Sequence, residues 1–390
     1  MVGTEIVPPS VSPYATGMFP RLLFPPITPA LWLLAALLLR EAALTAAEPV
    51  QWTDLRQLGI EGQGWKETEA PFDRLPARAK GVVRSAVWDL SRHSAGLHAR
   101  FVTDATTIHA RWSVTSPNLA MNHMAATGVS GLDLYVKTPD GRWRWLSVGR
   151  PERQTNTTAL VTGLPTGSRE YLLYLPLYNG TTSVELGVPD GANLAKAGAW
   201  GTGQRKPMVF YGTSILHGAC ASRPGMTHAA ILGRRFQLPH INLGFSGNGK
   251  MEAELAELLA ELDPCVYVLD CLPNMNAAEV TERLEPFVQK LRAAHPKTPI
   301  VLVEDRSYAD SFLILGKRER NETSRAALKT AFARLKKAGV KDLHYLAGEH
   351  LLGEDGEGTV DSSHPNDLGF MRQADAQAKV LAPLIRRAIH

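Results

Sequence analysis

The chain changes its hydrophobic periodicity at residues 191–206, and this change restricts the possible folds more than any other feature. Before it, short segments such as 97–102 and 107–112 alternate apolar and polar residues with a period of two. After it, apolar strand-like runs alternate with segments of helical periodicity. The first pattern is typical of an antiparallel sandwich, and the second of a parallel sheet with helices on both faces. The sequence therefore predicts two domains of different class.

The N-terminal domain is predicted over residues 48–195 as a jelly-roll-like β-sandwich. Two pairs of strand-like segments are separated by turn signals, Pro139-Asp140-Gly141 in one pair and Asn179-Gly180 in the other. Several short strands at this spacing favour an antiparallel sandwich. No helical run is expected between the strands of this region.

The C-terminal domain is predicted over residues 205–390 as an α/β domain. Strands are expected at 208–211, 240–243, 265–269, 300–303 and 343–346, and helices at 225–236, 250–262 and 324–338. The segment 265–269 is apolar throughout, as is usual for a strand buried on both faces of a parallel sheet. Ligands of such sheets bind beyond the carboxyl ends of the strands. The chemistry of the chain is therefore expected in the loops that follow these strands.

The N-terminus carries a ten-residue apolar run at 30–39, with Arg21 on its N-terminal side. Ten residues are too few to cross a bilayer, which takes about 20, but they suit the core of a secretory signal. The small residues at 44–47 offer a cleavage site. We expect residues 1–47 to form a signal peptide and the mature protein to be secreted or periplasmic, without stable membrane insertion. The stretch before Met18 lacks a basic start, which favours Met18 as the true initiator, and an uncleaved membrane anchor is the alternative to a signal peptide.

Composition argues against several classes of protein. Lys plus Arg exceed Asp plus Glu by 42 − 38 = 4 charges, without a dense basic cluster, which disfavours nucleic-acid binding. Three cysteines are too few for a disulfide scaffold. Cys265 and Cys271 lie too far apart along one strand to bond, whereas Cys220 and Cys271 either form a bond or stay reduced. No His/Cys cluster has the spacing of a metal site, so no metal or other cofactor is expected.

Polar residues gather in four loops at the predicted strand ends or near the C-terminus. The loops are 211–215, 242–249, 270–275 and 361–365. A serine hydroxyl becomes a useful nucleophile when a base takes its proton and a third group orients that base. Asp361 and His364 are three residues apart, so the carboxylate is placed to orient the ring while the other nitrogen faces Ser214. These three residues are the predicted catalytic triad.

Acyl transfer also requires hydrogen-bond donors that stabilise a developing oxyanion. The predicted donors are the backbone N–H groups of Ser214 and Gly247 and the side-chain amide of Asn274. Glycine at position 247 allows a close backbone approach. Together with the triad, these donors predict an acyl-transfer site.

These residues resemble the sequence blocks of the SGNH hydrolases, a branch of the GDSL-type esterases and lipases. Ser214, Gly247 and Asn274 match the serine, glycine and asparagine blocks, and His364 lies in the Asp-x-x-His block. Thr213 stands where the family often has aspartate, and the third block reads Pro-Asn-Met. The resemblance implies a flavodoxin-like three-layer domain, the predicted catalytic roles, and an acyl-enzyme that forms without a cofactor.

The strings at 218–225 and 242–249 resemble a subgroup that carries an N-terminal β-domain. By analogy, we expect an exported esterase that removes acetyl or other short acyl groups from carbohydrates, its substrate being a small-molecule or polysaccharide ester. Three alternatives stay open. They are a lipid or lysophospholipid acylhydrolase, a carbohydrate-binding protein with an inactive hydrolase domain, and an enzyme that transfers the acyl group to another sugar.

Four further side chains are weaker candidates for substrate binding. They are His217, Arg223, Arg306 and Tyr308. Surface salt bridging and helix packing are equally good interpretations. The segment 244–251 approaches the phosphate-loop pattern, but Met251 replaces the hydroxyl that would coordinate magnesium, which disfavours nucleotide binding. The chain has no G-x-S-x-G motif, which disfavours an α/β-hydrolase fold.

Overall fold

A computed structural model describes residues 49–201 and 205–389 of the chain. The predicted signal peptide, residues 1–47, lies outside the described residues. None of the described helices has the length and apolar character needed to cross a membrane. The predicted division into domains at 48–195 and 205–390 stays a prediction.

The N-terminal half consists of two antiparallel sheets. One sheet has the order β1-β8-β3-β6 and the other the order β5-β4-β7-β2-β9. The strands are β1 Val50–Asp54, β2 His98–Thr103, β3 Ile108–Val114, β4 Leu132–Lys137, β5 Trp143–Gly149, β6 Thr155–Val161, β7 Arg169–Tyr174, β8 Thr181–Pro189 and β9 Leu194–Lys196. Short helices interrupt them: α1 Leu55–Leu58, α2 Ser85–Ser91 and α3 Ala126–Val129.

The inward side chains of these two sheets form one apolar core. Trp112 of β3 and Phe101 of β2 are both buried in it, although their strands belong to different sheets. Alternate residues of β3 are buried, as expected for a strand with one face on the core. The predicted β-sandwich is therefore confirmed. The expectation that no helix interrupts the strands was wrong. The sequence does not reveal α2, because its two buried apolar residues, Val87 and Trp88, are too few to show a helical period.

The C-terminal half contains a five-stranded parallel sheet of order β11-β10-β12-β13-β14. Its strands are β10 Met208–Gly212, β11 His240–Gly244, β12 Val266–Asp270, β13 Ile300–Val303 and β14 Leu343–Leu346. Its helices are α4 Ser214–His217, α5 His228–Phe236, α6 Ala253–Leu259, α7 Ala277–Ala294, α8 Leu315–Lys337 and α9 Asp367–Ile389.

Helices cover both faces of the parallel sheet. Val209 and Tyr211 of β10 face the core shared with α6, α7 and α8, whereas Met208 and Phe210 face the core shared with α5 and α9. The second strand along the chain, β11, lies at the edge of the sheet beside the first, β10. The third strand, β12, lies on the other side of β10, which is the arrangement of flavodoxin-like sheets. The predicted three-layer α/β fold is confirmed. Its switch point, where ligands bind in such sheets, lies between β10 and β12.

Three long helices depart from the sequence expectation: α7 and α9 were not predicted, and α8 begins early. Helix α8 begins nine residues before the predicted position 324, because its first turns are charged and exposed and carry no apolar stripe. Helix α7 was not predicted, although Val280, Leu284 and Phe287 follow the helical period and Asn276 forms a capping box. The helix predicted at 250–262 is shorter in the structure, where it is α6. The helix predicted at 225–236 begins later, as α5, and a 3₁₀ turn at Pro224–Met226 precedes it.

The three cysteines are free and buried. The open alternative of a bond between Cys220 and Cys271 is therefore resolved in favour of two thiols. Burial raises the pKa of Cys220 and of Cys265 to about 12, so these thiols stay protonated at neutral pH.

Glu61 lies in a polar cluster near the junction of the two halves, where His98 of β2 stacks on His240 of β11 at 5.0 Å. Arg100 Nε lies 3.1 Å from the Glu61 carboxylate. Burial alone would raise the pKa of Glu61, but His98 and Arg100 outweigh it and lower the pKa to about 2.

The ionised form of Glu61 therefore stabilises the fold above its ordinary pKa of 4.5, and that stability is lost as pH falls towards 2. We expect the difference in unfolding free energy between wild type and Glu61→Gln to be greatest near pH 7, at no more than about 3 kcal/mol, and to shrink below pH about 4.5. Urea unfolding at a series of pH values measures this difference. A difference that stays constant down to pH about 2 contradicts the expectation.

Candidate active site

Ser214 lies at the turn between β10 and α4, at the carboxyl end of the parallel sheet. The Thr213 side chain caps the short helix by accepting a hydrogen bond from the Ile215 N–H at 3.4 Å. Ser214 is 8% exposed, so little of the residue is open to solvent. A serine at a strand end next to the switch point has the position that the sequence predicts for it.

The side chains of Ser214, His364 and Asp361 form one hydrogen-bonded chain. The Ser214 Oγ lies 2.8 Å from the Nε2 atom of His364. The Nδ1 atom of the same ring lies 2.7 Å from Oδ2 of Asp361. The three predicted triad residues are thus brought together with the base between the hydroxyl and the carboxylate. This geometry suits transfer of the serine proton to an oriented imidazole.

Backbone donors hold the Asp361 carboxylate in place. Its Oδ1 atom accepts hydrogen bonds from the N–H groups of His364 at 2.8 Å and Ser363 at 3.1 Å. Burial raises the pKa of Asp361, but the hydrogen bonds from His364 and Ser363 outweigh it and hold the pKa below its ordinary value. The carboxylate is therefore ionised at neutral pH, and Oδ2 stays available to the imidazole.

The loop that carries Asp361 and His364 is held by a neighbouring segment. The Ala309 N–H donates to the Ser362 carbonyl at 2.9 Å, and Lys317 Nζ lies 2.8 Å from the Ser362 hydroxyl. Ser362 itself has a left-handed φ of 73°. An uncommon backbone conformation at a functional loop has to be supported by its surroundings. Residues 309–317 supply that support.

The loop after β11 brings the second predicted donor to the nucleophile turn. A Cβ atom at Gly249 would lie 2.0 Å from the Gly212 carbonyl oxygen, so this close approach requires glycine. Gly247 has a φ of 66°, and its N–H makes no hydrogen bond to another described residue. That N–H is therefore available to a ligand beside the turn that holds Ser214.

Asn274 lies in the turn after β12 and contacts the same loop. Its Nδ2 atom donates to the Asn248 carbonyl at 2.6 Å. An amide nitrogen carries two hydrogens, so one orients the side chain and the other is left for a ligand. The three predicted oxyanion donors come from the ends of β10, β11 and β12, which are neighbours in the sheet.

Two of the weaker candidates are engaged in packing. His217 is fully buried, and its Nε2 lies 2.8 Å from the Leu177 carbonyl. Burial lowers the pKa of His217 well below its ordinary value, so the ring is neutral. Arg223 forms a salt bridge of 2.9 Å with Asp133 of β4. Both side chains thus connect the two halves of the molecule.

The other two candidates differ in their surroundings. Arg306 is 2% exposed and forms a bidentate ion pair with Asp270, which ends β12. This placement favours a structural role. Tyr308 is half-buried and lines a cavity of 410 Å³ together with residues 307–312 and 349–359. Of the four, Tyr308 has the placement that suits contact with a ligand.

The N-terminal half supplies two residues to the site that the sequence did not indicate. The Tyr178 hydroxyl donates to the Ser214 carbonyl at 3.2 Å. The exposed ring of His123 lies 6.2 Å from the ring of His364, measured between centroids. Tyr178 also lines a cavity of 610 Å³ together with His93, Val129 and residues 116–121. His123 lies in no local motif, and the Asn179-Gly180 turn signal beside Tyr178 marks a turn and not a site, so an alignment of related sequences is the signal that could reveal both residues.

The described residues contain no group of three His, Cys, Asp or Glu side chains placed to hold a metal ion. Lys250 of the phosphate-loop-like segment lies 3.3 Å from the Glu279 carboxylate, and Met251 is buried. The lysine that would contact a phosphate is therefore paired with an acid.

A flavodoxin-like sheet with these four loops at its carboxyl edge defines an SGNH-type hydrolase, a carboxylic ester hydrolase. Residues 205–382 match the model of the GDSL-like lipase/acylhydrolase family, and residues 50–194 match the model of the N-terminus of SGNH-hydrolase-type esterases. The chain belongs to the GDSL-like lipase/acylhydrolase family. The resemblance seen in the sequence is thereby confirmed. No curated protein matches the chain significantly.

Solved structures show the same architecture. A protein from Bacteroides ovatus ATCC 8483 described as a GDSL-like lipase is 37% identical, with a TM-score of 0.82 over 87% of this chain and 98% of that one. The salicylyl-acyltransferase SsfX3 of a tetracycline biosynthetic pathway is 21% identical, with a TM-score of 0.66 over 87% and 98%. A family two carbohydrate esterase from Cellvibrio japonicus is 13% identical, with a TM-score of 0.56 over 88% and 100%. The last two structures share the fold of this chain.

Proposed function

We propose that this hydrolase is an exported serine esterase that removes short acyl groups, chiefly acetyl, from carbohydrate esters. The observation that carries the proposal is the hydrogen-bonded chain from the Ser214 hydroxyl through His364 to Asp361. A hydroxyl in this arrangement is an activated nucleophile. Export is supported by the apolar run at 30–39 alone.

The first half of the reaction acylates the serine. The Ser214 Oγ attacks the ester carbonyl carbon while its proton moves to Nε2 of His364. The resulting oxyanion accepts hydrogen bonds from the Ser214 N–H, the Gly247 N–H and the Asn274 amide. The carbon–oxygen bond to the alcohol then breaks, and His364 returns its proton to the leaving alcohol. Asp361 stabilises the imidazolium throughout this half-reaction.

The second half of the reaction releases the acyl group. A water molecule gives a proton to His364 and attacks the acyl carbonyl, and the same donors hold the oxyanion. The bond to Ser214 Oγ breaks as His364 returns the proton to it. A carboxylic acid leaves and the enzyme is restored. A sugar hydroxyl in place of water would give acyl transfer instead, and SsfX3, which shares the fold, is named as an acyltransferase.

The carbohydrate substrate is supported by analogy of fold. Two proteins with the same fold, from Clostridium thermocellum and Cellvibrio japonicus, are described as family two carbohydrate esterases. Fold alone does not determine substrate. The lipid acylhydrolase and the inactive carbohydrate-binding protein are therefore outcomes of the test.

A panel of esters tests the proposal. The purified protein is assayed on p-nitrophenyl acetate, butyrate and octanoate and on acetylated xylan and glucose pentaacetate, beside Ser214→Ala. Faster turnover of acetyl than octanoyl esters, with loss of both in the variant, supports the proposal. Preference for octanoate makes the protein a lipid acylhydrolase. Absence of turnover on every ester, or equal turnover by the variant, overturns the serine mechanism.

His123 is expected to contact the alcohol portion of a carbohydrate ester, because its ring lies beside His364, which protonates that alcohol. We expect His123→Ala to lower kcat/KM for glucose pentaacetate about fivefold, the effect of one lost hydrogen bond of about 1 kcal/mol. The rate with p-nitrophenyl acetate should stay within about twofold, since that leaving group needs no protonation. Initial rates of the two substrates measure the effect.

Asn122→Ala is the matched control, since Asn122 is an exposed neighbour of His123. An equal fall of both rates in His123→Ala, or the same pattern in Asn122→Ala, contradicts a contact between His123 and the alcohol.

A further inference from the structure

A buried arginine of the N-terminal half lies at the carboxyl end of β11. Arg74 is 1% exposed. Its guanidinium donates hydrogen bonds to the carbonyls of Asn242 at 3.1 Å, Gly244 at 2.8 Å, Leu90 at 2.7 Å and His93 at 2.8 Å. Two of these carbonyls belong to the C-terminal half of β11, at its third and last residues, and the other two lie in the last turn of α2 and just after it. One side chain therefore joins the sheet edge of the hydrolase to the N-terminal half.

The surroundings of Arg74 show that the contact is a built feature of the fold. Burying a guanidinium is costly unless its donors are satisfied, and here four backbone carbonyls accept from four of its five N–H groups. The guanidinium carbon also lies 5.0 Å from the centroid of the Phe245 ring. Burial lowers the pKa of Arg74 to about 9, so the group stays charged at neutral pH.

The residues that Arg74 holds lead directly into the loop of the second oxyanion donor. Gly244 and Phe245 are followed by Ser246 and Gly247. The Asn248 N–H closes the turn by donating to the Phe245 carbonyl at 2.9 Å. The position of the Gly247 N–H therefore depends on Phe245 and the end of β11, which are in contact with Arg74, as well as on Asn274, which binds the Asn248 carbonyl.

We propose that Arg74 is a positioning residue for the oxyanion site, which fixes the loop that carries the Gly247 donor. The inference rests on the proposed serine mechanism and gives the N-terminal half a part in catalysis. Oxyanion stabilisation depends on donors placed for the transition state, and a displacement of about 1 Å can lower a rate about 100-fold. Arg74 does not touch the substrate, so its effect is expected on kcat.

Arg74→Lys tests the inference, because lysine keeps the charge but lacks the planar fork that binds several carbonyls. We expect kcat for p-nitrophenyl acetate to fall about 30- to 100-fold while KM changes less than about threefold. The affinity for a trifluoromethyl ketone, which forms an oxyanion on Ser214, should fall by a similar factor. Initial rates and inhibition constants are measured below the Tm of the variant.

Arg234→Lys is the matched control. Arg234 also joins the two halves, through the Tyr174 hydroxyl of β7 at 3.2 Å, but it makes no hydrogen bond to the end of β11. Its variant should lower the Tm and leave kcat within about twofold of wild type. A folded Arg74→Lys with kcat within about threefold of wild type overturns the inference, and so does an equal loss of kcat in Arg234→Lys.

A second variant decides the case if Arg74→Lys does not fold. Phe245→Leu shortens the side chain that lies against the guanidinium and is expected to reduce kcat about 3- to 10-fold at unchanged KM. An unchanged kcat in this variant overturns the inference. Failure of the underlying mechanism gives a different result, because wild-type protein and Ser214→Ala would then show the same rate.

Discussion

Replacing Ser214 by alanine is expected to lower kcat for ester hydrolysis by about 10⁴-fold or more, as the loss of a catalytic serine does in other hydrolases. The variant lacks the oxygen that attacks the ester, and no other described hydroxyl is hydrogen-bonded to His364. The donors at Gly247 and Asn274 remain, so some residual hydrolysis is expected. Initial rates with p-nitrophenyl acetate over a long time course measure the effect.

The fold should be unchanged in Ser214→Ala, so the Tm is expected within about 2 °C of wild type. Ser183→Ala is the matched control, since Ser183 lies exposed on β8, and it should keep the full rate. An organophosphonate should add its mass to wild-type protein at Ser214 and leave the alanine variant unmodified. Labelling at another residue, or a wild-type rate in the variant, would rule out Ser214 as the nucleophile.

Replacing Arg306 by methionine is expected to lower the free energy of unfolding by about 3–5 kcal/mol. Arg306 and Asp270 are 2% and 1% exposed and pair with each other in the core. Removal of the cation leaves the Asp270 carboxylate buried, with the Gln373 amide at 3.4 Å as a weak remaining partner. Urea unfolding at pH 7 measures the loss.

The double variant Arg306→Met/Asp270→Leu is expected to recover much of this stability, because removing both charges of a buried pair is often neutral. Arg142→Met is the surface control. Arg142 pairs with Asp140 while 73% exposed, so its loss should change stability by less than about 0.5 kcal/mol. Unchanged stability of Arg306→Met together with a raised KM would instead support the substrate contact considered from the sequence.

The elements that the sequence predicted best are those whose signal is local. The strand predicted at 265–269 is observed as Val266–Asp270. A short apolar run of this length, bounded by polar residues, is typical of a buried strand. Ser214 and His364 were found through motifs within loops, and they meet although 150 residues separate them. Their meeting follows from the parallel sheet, which gathers the ends of its strands at one edge.

The features that sequence reasoning missed depend on contacts between distant segments. Nothing in the sequence distinguishes Arg74 from a surface arginine. The fold shows that its guanidinium binds the Gly244 carbonyl, directly before the loop that follows β11. Tyr178 and His123 likewise come from loops of the sandwich, and the turn signal at Asn179-Gly180 marks the loop of Tyr178 as a turn without indicating a contact to the site. Arg223 was considered for substrate binding because it follows a strand end, but its partner Asp133 lies on a strand of the other half. Such partners cannot be read from spacing.

The contacts between the halves have a consequence for how this architecture is inherited. The Leu177 carbonyl binds His217, the Tyr178 hydroxyl binds the backbone of Ser214, and Arg74 binds the end of β11. An exchange of the sandwich for an unrelated one would remove all three supports from the nucleophile turn and the neighbouring loop. The sandwich is therefore not an interchangeable accessory, and recombination is expected to pass both halves on together. The Bacteroides ovatus protein fits this expectation, since 98% of its length aligns across both halves of this chain.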